Sequence, residues 1–153
     1  MIYRIFVEKK DNVQARKEAA DIATLLGIAA EDFRLILRYD VEGLTESELQ
    51  AAIPSVFSEP PVDNVYLETI GIGKEYKVFA VSYLTGQYDQ RADSAAQCVQ
   101  LLTRKARPLI RTAVIYAFKG ADAVADKLGR YLVNPVEARL CSLEKPATLA
   151  AVY

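Results

Sequence analysis

Histidine is missing from all 153 residues. That removes the commonest general base, the Ser-His and Cys-His nucleophile pairs and most zinc sites. Acid–base chemistry would fall to carboxylates, lysines and tyrosines alone. Cysteine is scarce: Cys98 and Cys141 are the only two, with no metal-type spacing between them. This pattern predicts a reduced, cytoplasmic protein rather than a disulfide scaffold. No run approaches the ~20 apolar residues that a membrane span needs. The chain enters an alternating pattern at residue 2, which is the start of a strand and not of a signal peptide. Neither sign of charge dominates, since 19 basic and 20 acidic residues leave a formal net charge of −1. Bulk charge therefore gives no ground for a nucleic-acid or anionic-membrane partner. Lysines and arginines are spread along the chain without an aromatic-interleaved basic patch.

What is present repeats. Tyr3-Arg4-Ile5-Phe6 recurs as Tyr76-Lys77-Val78-Phe79. Ala19-Ala20 and Leu25-Leu26 recur as Ala95-Ala96 and Leu101-Leu102, and Pro61-Val62-Asp63 recurs as Pro135-Val136-Glu137. The matches keep their order, so the chain predicts two copies of one βαβαβ unit, residues 1–72 and 73–144. The expected fold class is α+β: tandem repeats closing as a pseudo-dimer, with helices packed on antiparallel sheets. Residues 145–153 contain Pro146 and no strong periodicity, and are expected to be a tail or the start of a linker.

Within the first unit, alternation predicts a strand over 2–9, with Tyr3, Ile5 and Val7 on one face and Arg4, Phe6 and Glu8 on the other. A helix follows, with Ala15, Ala19, Ile22 and Leu26 on its apolar stripe and Gly27 after its end. A second strand is expected over 33–39. Thr45 and Glu48 then form a capping box, with Leu44 and Leu49 as its hydrophobic staple. Pro54 should end or kink that helix near Ile53. Pro60-Pro61 lead into a third strand over 62–70. Gly71-Ile72-Gly73-Lys74 lacks the Gly and Ser/Thr that a phosphate loop requires, since Glu68 and Glu75 stand there. It is expected to be an inter-repeat turn.

The second unit predicts a strand over 76–84, a turn at 85–88, and a helix presenting Ala92, Ala95, Ala96, Val99 and Leu102 on one face. A strand over 111–118, a helix over 121–133 and a last strand over 136–143 follow. Residues 78–84 and 113–118 are almost wholly apolar on both faces, which suits either central strands or a strand face that docks a partner.

Asp89-Gln90-Arg91-Ala92-Asp93-Ser94 opens a helix, where free N–H groups and a positive dipole end meet a bidentate arginine donor. An anion or partner-contact site is one reading; an N-cap by Asp89 beside a solvated Arg91 is the other. Asp40, Glu42, Glu46 and Glu48 cluster in sequence, which permits a paired-carboxylate site, although dipole-complementing acids explain Glu46 and Glu48. Cys98 and Cys141 read as packed thiols, with no basic neighbour to activate them.

Three segments carry a resemblance: Arg38-Tyr39-Asp40-Val41-Glu42-Gly43-Leu44; Gly86-Gln87-Tyr88-Asp89-Gln90-Arg91-Ala92-Asp93-Ser94-Ala95-Ala96-Gln97-Cys98; and Asn134-Pro135-Val136-Glu137-Ala138-Arg139. In order along nearly the whole chain, they resemble the N-terminal region of large, single-chain phosphoribosylformylglycinamidine synthase. Thr85 stands where that pattern has proline. The resemblance implies a fused pseudo-dimer of the small subunit found in multi-subunit forms of this purine-biosynthesis ligase. It implies scaffolding between an ATP- and magnesium-dependent synthetase and a glutaminase (glutamine amidotransferase) module of the same longer chain, supporting the ammonia path. The fragment itself would hold no catalytic residue and no cofactor, and a homodimer of it is a further partner that the resemblance allows. Gly86, Gln87, Asp89, Gln90, Arg91, Asp93, Ser94, Asn134, Pro135 and Glu137 would be partner contacts. The rival expectations are a ligand-sensing ferredoxin-like regulatory domain, with a pocket at a strand–helix turn, and a small enzyme using Asp40 and Glu42.

Overall fold

The computed structural model describes residues 2–11, 31–72, 76–83, 88–119 and 138–140, together with 13, 16, 17, 20, 21 and 24. The chain is α+β. Strands β1 (Ile2–Lys9), β2 (Glu31–Glu42), β3 (Asp63–Leu67), β4 (Tyr76–Tyr83), β5 (Leu109–Lys119) and the three-residue β6 (Ala138–Leu140) form one sheet in the order β3-β1-β2-β5-β4-β6. Every pairing is antiparallel. Two helices are described in full, α1 (Glu46–Ala52) and α2 (Gln90–Thr103). Val13, Arg16, Lys17, Ala20, Asp21 and Thr24 are also helical, and all are exposed. The stripe expected to face inward there, and the expected helix over 121–133, lie outside the described residues. So do Cys141 and the tail at 145–153. No described helix is long and apolar enough to cross a membrane.

The first strand has the expected bounds, and its alternation sorts the two sides of the sheet. Ile5 and Val7 join Tyr39, Val41 and Ile110 under the helices, with Leu49, Ala52, Ala92, Ala95, Ala96 and Val99 packed on them. Phe6 points the other way, into a second cluster with Ile36, Ala80 and Ile115. Register explains the grouping, because Ile36 pairs with Ile115 and Ala80 also pairs with Ile115 across the neighbouring ladder. Directly opposed residues share a face. As their two-sided apolar patterns require, β5 and β4 are interior strands. Phe33, Phe118 and Phe79 add an aromatic row, with stacked centroids 6.2 and 6.0 Å apart.

The second strand runs three residues beyond the expected end. Asp40 looks like a strand terminator by propensity, but it finds a buried partner on β1 and the ladder continues to Glu42. The third strand is shorter than expected. Glu68 adopts φ 65° and turns the chain so that Ile70 and Ile72 pack against the Phe6 cluster.

Helix α1 starts at the predicted capping box. The Thr45 hydroxyl accepts the Glu48 N–H at 3.2 Å, and Glu48 Oε1 accepts the Thr45 N–H at 2.9 Å. The Lys105 ammonium lies 3.0 Å from Glu48 Oε2. Pro54 has no N–H to continue the α ladder, and the chain widens into a single π turn over Ile53–Phe57. The Ser58 hydroxyl closes this turn on the Ile53 carbonyl at 2.7 Å. The turn drives Phe57 into the core, its ring 5.0 Å from that of Tyr39 in a T-shaped contact. Thr45→Ala is expected to cost about 1 kcal/mol in urea unfolding. The Thr45 backbone N–H, then the Lys105 ammonium, hold the Glu48 carboxyl below its ordinary 4.5. A lowered folded-state value contributes stability above the unfolded value and loses it as pH falls through the folded one. The deficit of Glu48→Gln, which removes that charge, should therefore shrink when the melts are repeated in acid below that range.

Two expectations for α2 are corrected. Its buried stripe is Ala92, Ala95, Ala96 and Val99, but Leu102 and Leu101 are exposed. The last turn runs past the core before the left-handed Arg104 stops it at φ 57°. Cys98, expected to pack, is exposed because it projects from the outer side of the helix, next to the inward Val99.

Candidate functional site

The N-terminus of α2 is tied down by Asp89. One carboxylate oxygen accepts the Ala92 N–H at 3.0 Å; the other accepts the Thr112 N–H at 3.1 Å and its hydroxyl at 2.8 Å. Both oxygens thus serve the domain, joining the helix to β5 as an N-cap that reaches a strand. Asp93 is likewise committed. It accepts from the Tyr88 hydroxyl at 2.7 Å and Gln97 Nε2 at 3.1 Å, and it pairs with Arg107. The Tyr88 bond, then the Arg107 contact, hold the Asp93 carboxyl below its ordinary 3.8. Gln90, Arg91 and Ser94 are exposed. Gly86, Gln87, Asn134, Pro135 and Glu137 lie outside the described residues.

The acidic cluster of residues 40–48 is dispersed by the fold. Asp40 is buried on the face opposite the helices, held by Arg4 Nε at 2.7 Å and Arg4 Nη2 at 3.0 Å, with Arg38 Nε 3.9 Å away. Glu46 and Glu48 stand in the first turn of α1. The turn at Gly43, whose φ of 107° suits glycine, carries Glu46 and Glu48 away from Asp40, whereas Glu42, two residues on in the same strand, shares the Asp40 face of the sheet.

A cavity of about 710 Å³ opens over the helix-bearing face. Its floor is Val7, Leu35, Leu37, Tyr39, Val114 and Tyr116; the π turn and its exit (residues 55–59) form one wall; and Arg91 of α2 stands over it. Glu8, Lys9, Asp11 and Asp63 complete the described lining. That volume falls within the range of small-molecule pockets.

Most of the charges at the cavity are already engaged. Glu8 takes a two-pronged contact from Arg34, at 2.9 and 2.7 Å. Asp63 Oδ2 accepts the Glu59 N–H at 2.7 Å. Its buried Oδ1 lies 3.0 Å from the Lys9 ammonium, off the line of a hydrogen bond, so that contact is coulombic. Burial is the main influence on the Tyr39 phenol and raises it above 10.0; Arg91 opposes the shift, and Asp89 and Asp63 add to it. The phenol is thus a neutral donor throughout the physiological range.

No family model, curated protein or solved structure matches this chain. Geometry and chemistry therefore carry the functional argument. Among the described residues no group of three or more Cys, Asp or Glu converges as a metal site. Of the residues singled out from sequence, Arg91 alone lines the cavity, and it does so at the helix start whose donor character the sequence displayed. The rest of the lining was legible only in pieces. The strand over 33–39 and the end or kink at Pro54 were expected, but not that they would floor and wall a cavity.

Proposed function

We propose that this chain is the N-terminal scaffold domain of a large, single-chain phosphoribosylformylglycinamidine synthase, built from two βαβαβ units. In this reading it positions the ATP-dependent synthetase and glutaminase modules and supplies no reacting group itself. The observation that supports it most is the strand order. The first unit lies as third-first-second strand and the second as second-first-third, meeting at β2 and β5. Aligning the first residues of β2 and β5 puts Ile36 on Val114 and Leu37 on Ile115. Across that antiparallel seam Ile36 pairs with Ile115 and Leu37 with Val114, a register compatible with a local twofold. The repeated Tyr-basic-aliphatic-Phe motif opens β1 and β4, which occupy corresponding places beside that seam. Gln90, Arg91 and Ser94, exposed on α2, are available as contacts to neighbouring modules.

The test is reconstitution in trans. A synthetase–glutaminase polypeptide lacking its own N-terminal domain is mixed with this chain, and glutamine-dependent amidination of formylglycinamide ribonucleotide is followed. The expected result is no glutamine hydrolysis or ATP turnover by the chain alone, and activity restored on mixing. Turnover by the isolated chain, or no gain on mixing, overturns the proposal.

A further inference from the structure

Two donors at the cavity are left unused by the described residues. Neither the Arg91 guanidinium nor the Tyr39 hydroxyl has a hydrogen-bond partner among the described residues, although each feels the other's field. Below them the floor is apolar: Leu35, Leu37, Val114 and the Tyr116 ring. The remaining lining charges are acids and one lysine. Glu8 is held by Arg34, Asp63 by Lys9, and Asp11 accepts the Val13 N–H at 3.3 Å. Glu59 sits exposed on the rim. One uncommitted cation, one uncommitted neutral donor and a greasy floor match a ligand with a single negative group and an apolar body. Guanidinium and carboxylate pair in a planar, two-pronged contact. The acids on the lining repel a di- or trianion, which disfavours phosphate esters.

We propose that this cavity is a binding site for an apolar monocarboxylate. Its carboxylate is held by the Arg91 guanidinium and the Tyr39 hydroxyl, and its body lies on Leu35, Leu37, Val114 and Tyr116. The proposal rests on the cavity and not on the strand order, and it takes Arg91 as a ligand donor rather than as a contact to a neighbouring module. A bound acid would bridge α2 to the sheet and bias the helix start that carries Gln90 and Ser94.

Titration calorimetry of the whole chain with octanoate, octylamine, 1-octanol and octyl phosphate decides it. Octanoate is expected to saturate one site per chain, with the amine, alcohol and phosphate at least about tenfold weaker, the worth of a charged hydrogen bond. Arg91→Gln, a change at an exposed position, should weaken octanoate by at least about tenfold at an unchanged urea midpoint. Tyr39→Phe keeps the ring on Phe57 and should weaken it less. The proposal fails if octanoate does not saturate, if any of the other three probes binds as tightly, or if Arg91→Gln binds octanoate like the parent.

Discussion

Asp40→Ala is expected to destabilise the domain by about 3–5 kcal/mol, the largest loss for any single polar side chain described. The Arg4 and Asp40 side chains are 5% and 6% exposed, and their guanidinium–carboxylate contact is two-pronged. They are directly opposed across β1 and β2, and Asp40 is in turn opposed to Arg111 on β5. Arg38, also buried, is 3.9 Å from the same carboxylate. Removing the carboxylate takes a two-pronged acceptor from buried Arg4 and a counter-charge from buried Arg38, and both guanidiniums must then rely on their remaining partners. Removing both charges is different. The double variant Arg4→Met/Asp40→Leu should recover much of the loss, because burying the pair carried its own desolvation cost. Urea unfolding at constant m-value measures both. A loss below about 1 kcal/mol for Asp40→Ala would show the pair to be solvated and this account wrong.

Asp40 also shows where sequence reasoning stops. The capping box at Thr45 and Glu48 lies within four residues, so it is fully legible and its geometry follows. The Pro54 break is equally local. The alternation of Tyr3, Ile5 and Val7 against Arg4, Phe6 and Glu8 depends only on the pleat, and the two core clusters follow it. Asp40 reads as the end of a strand because its partner is 36 residues away, and no local pattern announces a buried ion pair. Leu102 fails for a related reason. Helical spacing says which residues share a face, but not how far along that face the sheet extends. The cavity is the least legible feature. It is a space between elements, so the side chains that floor it look like ordinary core, and only the uncommitted Arg91 was visible as a donor.

Asp89 separates two readings of the same helix start. If its carboxylate were a contact for another module, Asp89→Ala would leave the isolated domain's stability nearly unchanged and weaken assembly. The geometry expects the reverse order of effects. The substitution removes the N-cap of a 14-residue helix, worth about 0.5–2 kcal/mol. It also strips the acceptor from the N–H and hydroxyl of buried Thr112, at a further ~1–3 kcal/mol. A total of roughly 2–4 kcal/mol in urea unfolding is expected from those two terms. Thr112→Val in the Asp89→Ala background should cost little more, since the hydroxyl has already lost its acceptor, whereas alone it should cost about 1 kcal/mol. That non-additivity is the signature of a shared bond. Full additivity, with assembly impaired at unchanged stability, would instead make Asp89 a docking residue whose contacts to β5 are incidental.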